Sequence, residues 1–130
     1  MQLIAHNIKH VKSQNVKADM SHAELDWYYA SDATYLKNLP VLDENMEQVD
    51  TFYKRAESFD VIIGSDLLYF KESIEPLFRM VVGLQELNDA IFYMCMIRRG
   101  SEVHLELKRC FELFKDKIVV EQLEEAYIDQ

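Results

Sequence analysis

The stretch Phe59-Asp60-Val61-Ile62-Ile63-Gly64-Ser65-Asp66 constrains the fold of this chain more than any other. Its continuous β-branched run lacks the apolar–polar alternation of a half-wetted strand, so it reads as a strand buried on both faces, as in a parallel sheet. Downstream, Ser73 is placed to cap a helix whose apolar positions Ile74, Leu77, Phe78, Val81, Leu84 and Leu87 keep the 3.6-residue period. Pro76 falls in the first turn of that helix, where the missing N–H has no partner to lose. Asn88-Asp89 ends it, and residues 90–96 form a second apolar run, a second buried strand. Arg98-Arg99-Gly100 reads as a turn, and Ser101 as the cap of a helix with the face Val103, Leu107, Cys110, Phe111 and Phe114. Ile118-Val119-Val120 opens a third strand. Strand, helix, strand, helix, strand in this order predicts right-handed βαβ crossovers and hence the α/β class.

The amino-terminal part is less regular. Ile4, Ile8 and Val11 recur at i, i+4 and i+7 with Leu3 beside them, which predicts an amphipathic helix over about residues 2–14. That helix begins without a preceding cap, so the natural edge of the domain is expected upstream of it. Ala23-Glu24-Leu25-Asp26-Trp27 is a short candidate strand, and the polar stretch that follows, to about Ser58, reads as loop with some helix.

A chain of 130 residues, 49% hydrophobic and 28% charged, holds one modest core, and with only three glycines and two prolines it shows no linker and no repeat. Residues 1–130 are therefore expected to form a single domain. The formal net charge of −9 argues against binding nucleic acid or an anionic membrane through an overall basic field. The acids concentrate at Asp43, Glu44, Glu47 and Asp50, whereas Lys9, Lys12 and Lys17 precede the first acid, Asp19. No apolar run approaches the ~20 residues that span a bilayer. Cys95 and Cys110 both sit in apolar patterns, which predicts buried thiols and a reducing cytoplasmic or nuclear setting. His6, His10, His22 and His104 lack partner cysteines at ligand spacing; His6 and His10 are i, i+4 without a third ligand, so no metal site is expected.

In open parallel sheets chemistry gathers at the carboxyl ends of the strands, here Gly64-Ser65-Asp66-Leu67-Leu68-Tyr69. An acid at the end of a buried strand, an aromatic three residues on and then a helix is similar to the Asp-x-x-Tyr element after the fourth strand of seven-β-strand protein methyltransferases. Leu25-Asp26-Trp27 resembles the Leu-Asp-Trp element that ends their third strand, with Asn7 in a helix like the one before it. Met96-Ile97-Arg98 and the helix bearing Phe111 and Phe114 resemble their fifth strand and its following helix. Taken in order, over about residues 3–120, these elements make the chain resemble the second half of a class I S-adenosylmethionine-dependent methyltransferase of the protein-lysine type.

The resemblance implies a truncated Rossmann-like methyltransferase sheet with flanking helices, lacking its first two strands, and S-adenosylmethionine as cofactor. It implies that Trp27 contacts the adenine, that Asp26 and Ser65 belong to the cofactor pocket, and that Asp66 and Tyr69 border the substrate channel as the catalytic pair. The chemistry is compatible: an indole offers a flat surface to a purine, and a carboxylate beside a sulfonium can orient an incoming amine. Methyl transfer is an in-line displacement that needs alignment and no metal. Each residue also has a structural reading: Trp27 and Tyr69 as packing, Asp66 as a helix cap, Ser65 as a turn residue.

A nucleotide-derived cofactor calls for a Gly-rich turn and an acid for the ribose hydroxyls. Gly64, Gly83 and Gly100 are isolated and no acid precedes Asp19. The family's first strand lies beside its fourth, so the strand ending at Ser65 is expected to have an open, adhesive edge. Two functions follow as expectations, beside the third possibility of an unrelated small α/β domain that shares only the strand-end chemistry. One is a protein-lysine methyltransferase-like half that by itself binds cofactor poorly or not at all, acting on a protein substrate of basic character. The other is a non-catalytic module that dimerises, or binds a complementing chain, through its sheet edge and acidic loop.

Overall fold

The computed structural model describes residues 2–15, 17–65, 67–68, 70–96 and 100–121. Among these, the chain runs α1 (Gln2–Lys12), α2 (Ala33–Asn38), β1 (Pro40–Leu42), β2 (Gln48–Thr51), α3 (Phe52–Ala56), β3 (Val61–Ser65), a 3₁₀ turn (Lys71–Ser73), α4 (Ile74–Gln85), β4 (Ile91–Cys95) and α5 (Ser101–Leu113). The class is mixed α/β, built from two-stranded sheets with flanking helices: β1 and β2 are antiparallel, β3 and β4 parallel. No helix among the described residues is long and apolar enough to cross a membrane.

The β3–α4–β4 unit follows the sequence pattern. Adjacent parallel strands need a crossover, and α4 supplies it. Ile74, Leu77, Phe78, Val81 and Leu84 are all buried on its inner face, each contributing on the order of 1.5–3 kcal/mol. Val103, Leu107 and Cys110 of α5 join the same core, and the Phe78 ring lies 5.4 Å from that of Phe111 and 5.8 Å from that of Phe114. Asn88 closes the α4–β4 turn: its amide donates to the Ala56 carbonyl at 2.7 Å and its side-chain oxygen accepts from the Ala90 N–H at 2.9 Å.

Several expectations are corrected. Neither serine caps through its side chain. Ser73 does hold the N-cap position of α4, but its hydroxyl donates to the Phe70 carbonyl instead of accepting from the helix, while the N-cap of α5 is Gly100 and Ser101 is its first helical residue. Ile118-Val119-Val120 forms no strand, and Val119 is 91% exposed with no ladder to join. The turn at Arg98-Arg99 lies outside the described residues. Above all, β3 is not covered on both faces. Ile62 and Gly64, with Phe92 and Met94 of β4, turn toward the core, but Val61 and Ile63 are 56% and 79% exposed. Both α4 and α5 pack into the core on one side, leaving the outer side bare among the described residues. Cys95 shares this outward face and is exposed, contrary to the expectation of two buried thiols; Cys110 is fully buried.

The amino-terminal region is organised by turns. α1 ends at Lys12 with Lys9, His10 and Lys12 in its last turn, where cations suit the helix dipole, and Asn15 takes a left-handed φ of 62° beyond it. The expected strand at residues 23–27 is absent; only His22 pairs, through an isolated antiparallel bridge to Leu42. The cause is local. Asp26 Oδ1 accepts from the Tyr28 N–H at 3.0 Å and the Asp26 carbonyl from the Tyr29 N–H, folding the segment into a turn that competes with extended pairing. Within the polar stretch, Asp32 caps α2, Thr51 caps α3, and β1 and β2 form a hairpin between them.

Candidate functional site

Ser65 is the last residue of β3, exposed and in register with Cys95 at the end of β4. It therefore stands at the carboxyl end of a parallel pair, where open sheets place their chemistry. A Cβ on Gly64 would fall 2.5 Å from Leu67 Cδ1 and 3.4 Å from the Phe92 ring, so a larger residue there needs the Leu67 side chain to shift. The two proposed catalytic residues, Asp66 and Tyr69, lie outside the described residues.

Trp27 is half-buried and packs against the main core. Asp26 is exposed but occupied: its carboxylate closes the turn, and its N–H donates to the Tyr35 hydroxyl at 3.0 Å. That turn sits on α4, with the Ser31 Cα 3.1 Å from where a Cβ on Gly83 would stand and the Ala30 carbonyl at 3.5 Å. A crossover helix runs antiparallel to the strands it joins, so α4 begins near the carboxyl ends of β3 and β4 and returns to their amino ends. Gly83 lies nine residues beyond Ile74, about 13 Å along the axis at 1.5 Å per residue. The backbone at Ala30 and Ser31 is thus carried toward the end of α4 remote from Ile74.

The acidic segment is largely engaged within the chain. Asp43 Oδ1 accepts from the N–H groups of Asn45 (2.8 Å) and Glu47 (3.1 Å), holding the β1–β2 connection, where Met46 has a φ of 62°. Glu44 pairs with Lys12 at 2.8 Å, a hydrogen bond that lowers the Glu44 carboxyl below its ordinary range and raises the Lys12 ammonium. Asp50 accepts from the Thr51 N–H at 2.8 Å, the main cause of its lowered pKa, and from Arg55 at 2.9 Å. The sequence missed this because opposite charges were counted along the chain, whereas Lys12 and Glu44 meet only when α1 folds against the hairpin.

A cleft of about 280 Å³ lies between α1 and the hairpin turn, lined by Gln2, Ala5, His6, Lys9, Glu44, Asn45 and Met46. It includes none of Asp26, Trp27 or Ser65. Beside it, His22 is buried with its Nε2 3.0 Å from the Asp43 carbonyl oxygen and its Nδ1 without a hydrogen-bond partner. Among the described residues no group of three or more His, Cys, Asp or Glu side chains is placed to hold a metal ion. The Cys110 thiol is pushed up, first by burial and then by Glu106, which makes it a poor nucleophile. Glu106 in turn is held by Arg109, which also reaches Glu75 at 3.5 Å and so ties α5 to α4.

The geometry offers a strand-end position at Ser65, an uncovered apolar sheet face and an open sheet edge, rather than an enclosed catalytic pocket among the described residues. Comparison with protein-family models, with curated proteins and with solved structures found no match.

Proposed function

We propose that this chain is the substrate-side half of an S-adenosylmethionine-dependent methyltransferase-like domain of truncated Rossmann type, with protein lysine as the acceptor class. In this reading Ser65, Asp66 and Tyr69 border the methyl-transfer position, and Asp26 and Trp27 serve the adenine end. The cofactor supplies an activated methyl group on a sulfonium; the chain supplies orientation of the amine and exclusion of water. A further polypeptide segment on the open edge of β3 completes the pocket, in a cytoplasmic or nuclear setting.

The observation that carries the reading is the parallel β3–α4–β4 crossover, whose first strand ends at Gly64-Ser65, with one edge of β3 unpaired among the described residues. The test is a ¹⁵N-resolved NMR titration of the full chain with S-adenosylhomocysteine to 5 mM. Weak, saturable shifts centred on Gly64, Ser65 and Cys95 are expected. An unperturbed spectrum at 5 mM overturns the proposal.

A second reading, a non-catalytic interaction module, is favoured by the uncovered outer face of β3 and β4, where Val61, Ile63 and Ile91 stand exposed. Its binding surface is the bare sheet rather than the acidic loop, because Asp43, Glu44 and Asp50 are already partnered within the chain.

A further inference from the structure

Gln2, Ala5, His6 and Lys9 recur at i, i+3, i+4 and i+7 and so share one face of α1; with Glu44, Asn45 and Met46 of the β1–β2 connection they line the cleft of about 280 Å³. Contacts outside the cleft fix its walls. Lys12 reaches from α1 to Glu44 at 2.8 Å, Asp43 Oδ1 accepts from the N–H groups of Asn45 and Glu47, and the Asp43 carbonyl oxygen stands 3.0 Å from His22 Nε2. The lining side chains are in the opposite condition. Among the described residues Gln2, His6, Lys9 and Asn45 enter no hydrogen bond or ion pair through their side chains.

We infer that this cleft binds a small organic anion, a carboxylate or phosphate head on a short apolar body. Lys9 supplies the counter-charge, Gln2, His6 and Asn45 donate hydrogen bonds to the head, and Met46 with Ala5 forms the apolar wall. Three observations select this class. The first is charge. Glu44 is the one acid in the lining and is neutralised by Lys12, which leaves Lys9 uncompensated on a chain of net charge −9. An ammonium offers donors only, each amide has two N–H groups, and an imidazole keeps an N–H in either protonation state.

The second is Met46. Its φ of 62° is the left-handed conformation that glycine adopts freely and a long side chain adopts at a cost. Packing does not repay that cost, because Met46 is 40% exposed and stands outside the hydrophobic core. Its side chain lines the cleft instead. The third is size. The volume lies just under the ~300 Å³ at which small-molecule sites begin, so the occupant is a small molecule rather than a folded partner. With one uncompensated charge in an open cleft, affinity is weak, on the order of a few millimolar. None of Asp26, Trp27 or Ser65 lines the cleft, so the inference is independent of the methyltransferase reading.

The test is a ¹⁵N-resolved NMR titration of the full chain, at constant ionic strength, with phenyl phosphate, with benzoate and with uncharged phenol, each to about 20 mM. Saturable shifts at Ala5, His6, Lys9, Asn45 and Met46 are expected with at least one of the two anions, the tighter of which identifies the head group, and none with phenol. Lys9→Gln is expected to weaken binding at least fivefold, whereas Lys108→Gln, an equal loss of charge on the exposed side of α5, leaves it unchanged. Met46→Gly is expected to weaken binding while melting no lower than the parent, a combination that a purely structural role for Met46 does not give. No saturable shift with either anion overturns the inference. So does binding of phenol as tight as that of the anions, or binding undiminished by Lys9→Gln, because the charge would then go unrecognised. A Met46→Gly variant that melts lower and binds as before overturns it too.

Discussion

Truncating Ile63 and Ile74 to alanine removes the same atoms from opposite environments. Ile74 is fully buried beneath α4, and Ile→Ala at such a site costs about 2–5 kcal/mol, the transfer term plus the cavity. Alanine's better helix propensity returns a few tenths, leaving about 3 kcal/mol for Ile74→Ala. Ile63 keeps only about a fifth of its surface out of water, so its transfer loss is about 0.5 kcal/mol; with reduced strand propensity, Ile63→Ala costs below about 1 kcal/mol. For a chain of this length that is a melting shift of about 10 °C for the first variant and below about 4 °C for the second. Urea unfolding followed by circular dichroism measures both. Equal costs at the two positions would refute the reasoning, because they would mean that the outer face of β3 is packed within the monomer.

Ellman's reagent is expected to titrate one thiol, Cys95, in the native protein and the second, Cys110, only on unfolding, because Cys110 is fully buried and its thiolate disfavoured; two fast thiols would contradict the burial. Replacing Gly83 by leucine forces a side chain against Ser31, whose Cα already stands 3.1 Å from the Cβ position. The expected loss is about 2 kcal/mol in urea unfolding, with a change in Trp27 fluorescence; a stabilised variant would show that the turn of residues 26–31 does not rest on α4. Glu44 and Asp50 are held below their ordinary values of 4.5 and 3.8, so the stability they add is complete above those values and is lost as pH falls through their lower folded values. The urea midpoint should therefore fall below about pH 4.5, and Lys12→Met should flatten the part due to Glu44; an unchanged slope in that variant would exclude the Lys12–Glu44 pair as its source.

The β3–α4–β4–α5 half was legible in the sequence because its signals are local. A β-branched run, a 3.6-residue apolar period and a break at Asn88 each specify an element without reference to the rest of the chain. The same logic failed at residues 23–27, where Asp26 competes for the backbone through its own carboxylate, and at Ile118-Val119-Val120, where strand propensity found no ladder. The hairpin of β1 and β2 escaped because its strands are only three and four residues long, and its turn is set by a single acid, Asp43, that looked like surface charge.

For the candidate site, the sequence alone determined that Gly64 and Ser65 end a strand, at what is the carboxyl end of the parallel pair. It also determined that no glycine-rich loop or early acid accompanies them. Only the tertiary structure decided which face of that strand is covered, because an apolar run is equally compatible with two buried faces and with one buried and one waiting. It likewise decided that Lys12 pairs with Glu44 across 32 positions of chain. Periodicity records what a residue prefers; where its neighbours stand depends on contacts between segments remote in sequence, and those exist only once the chain has folded.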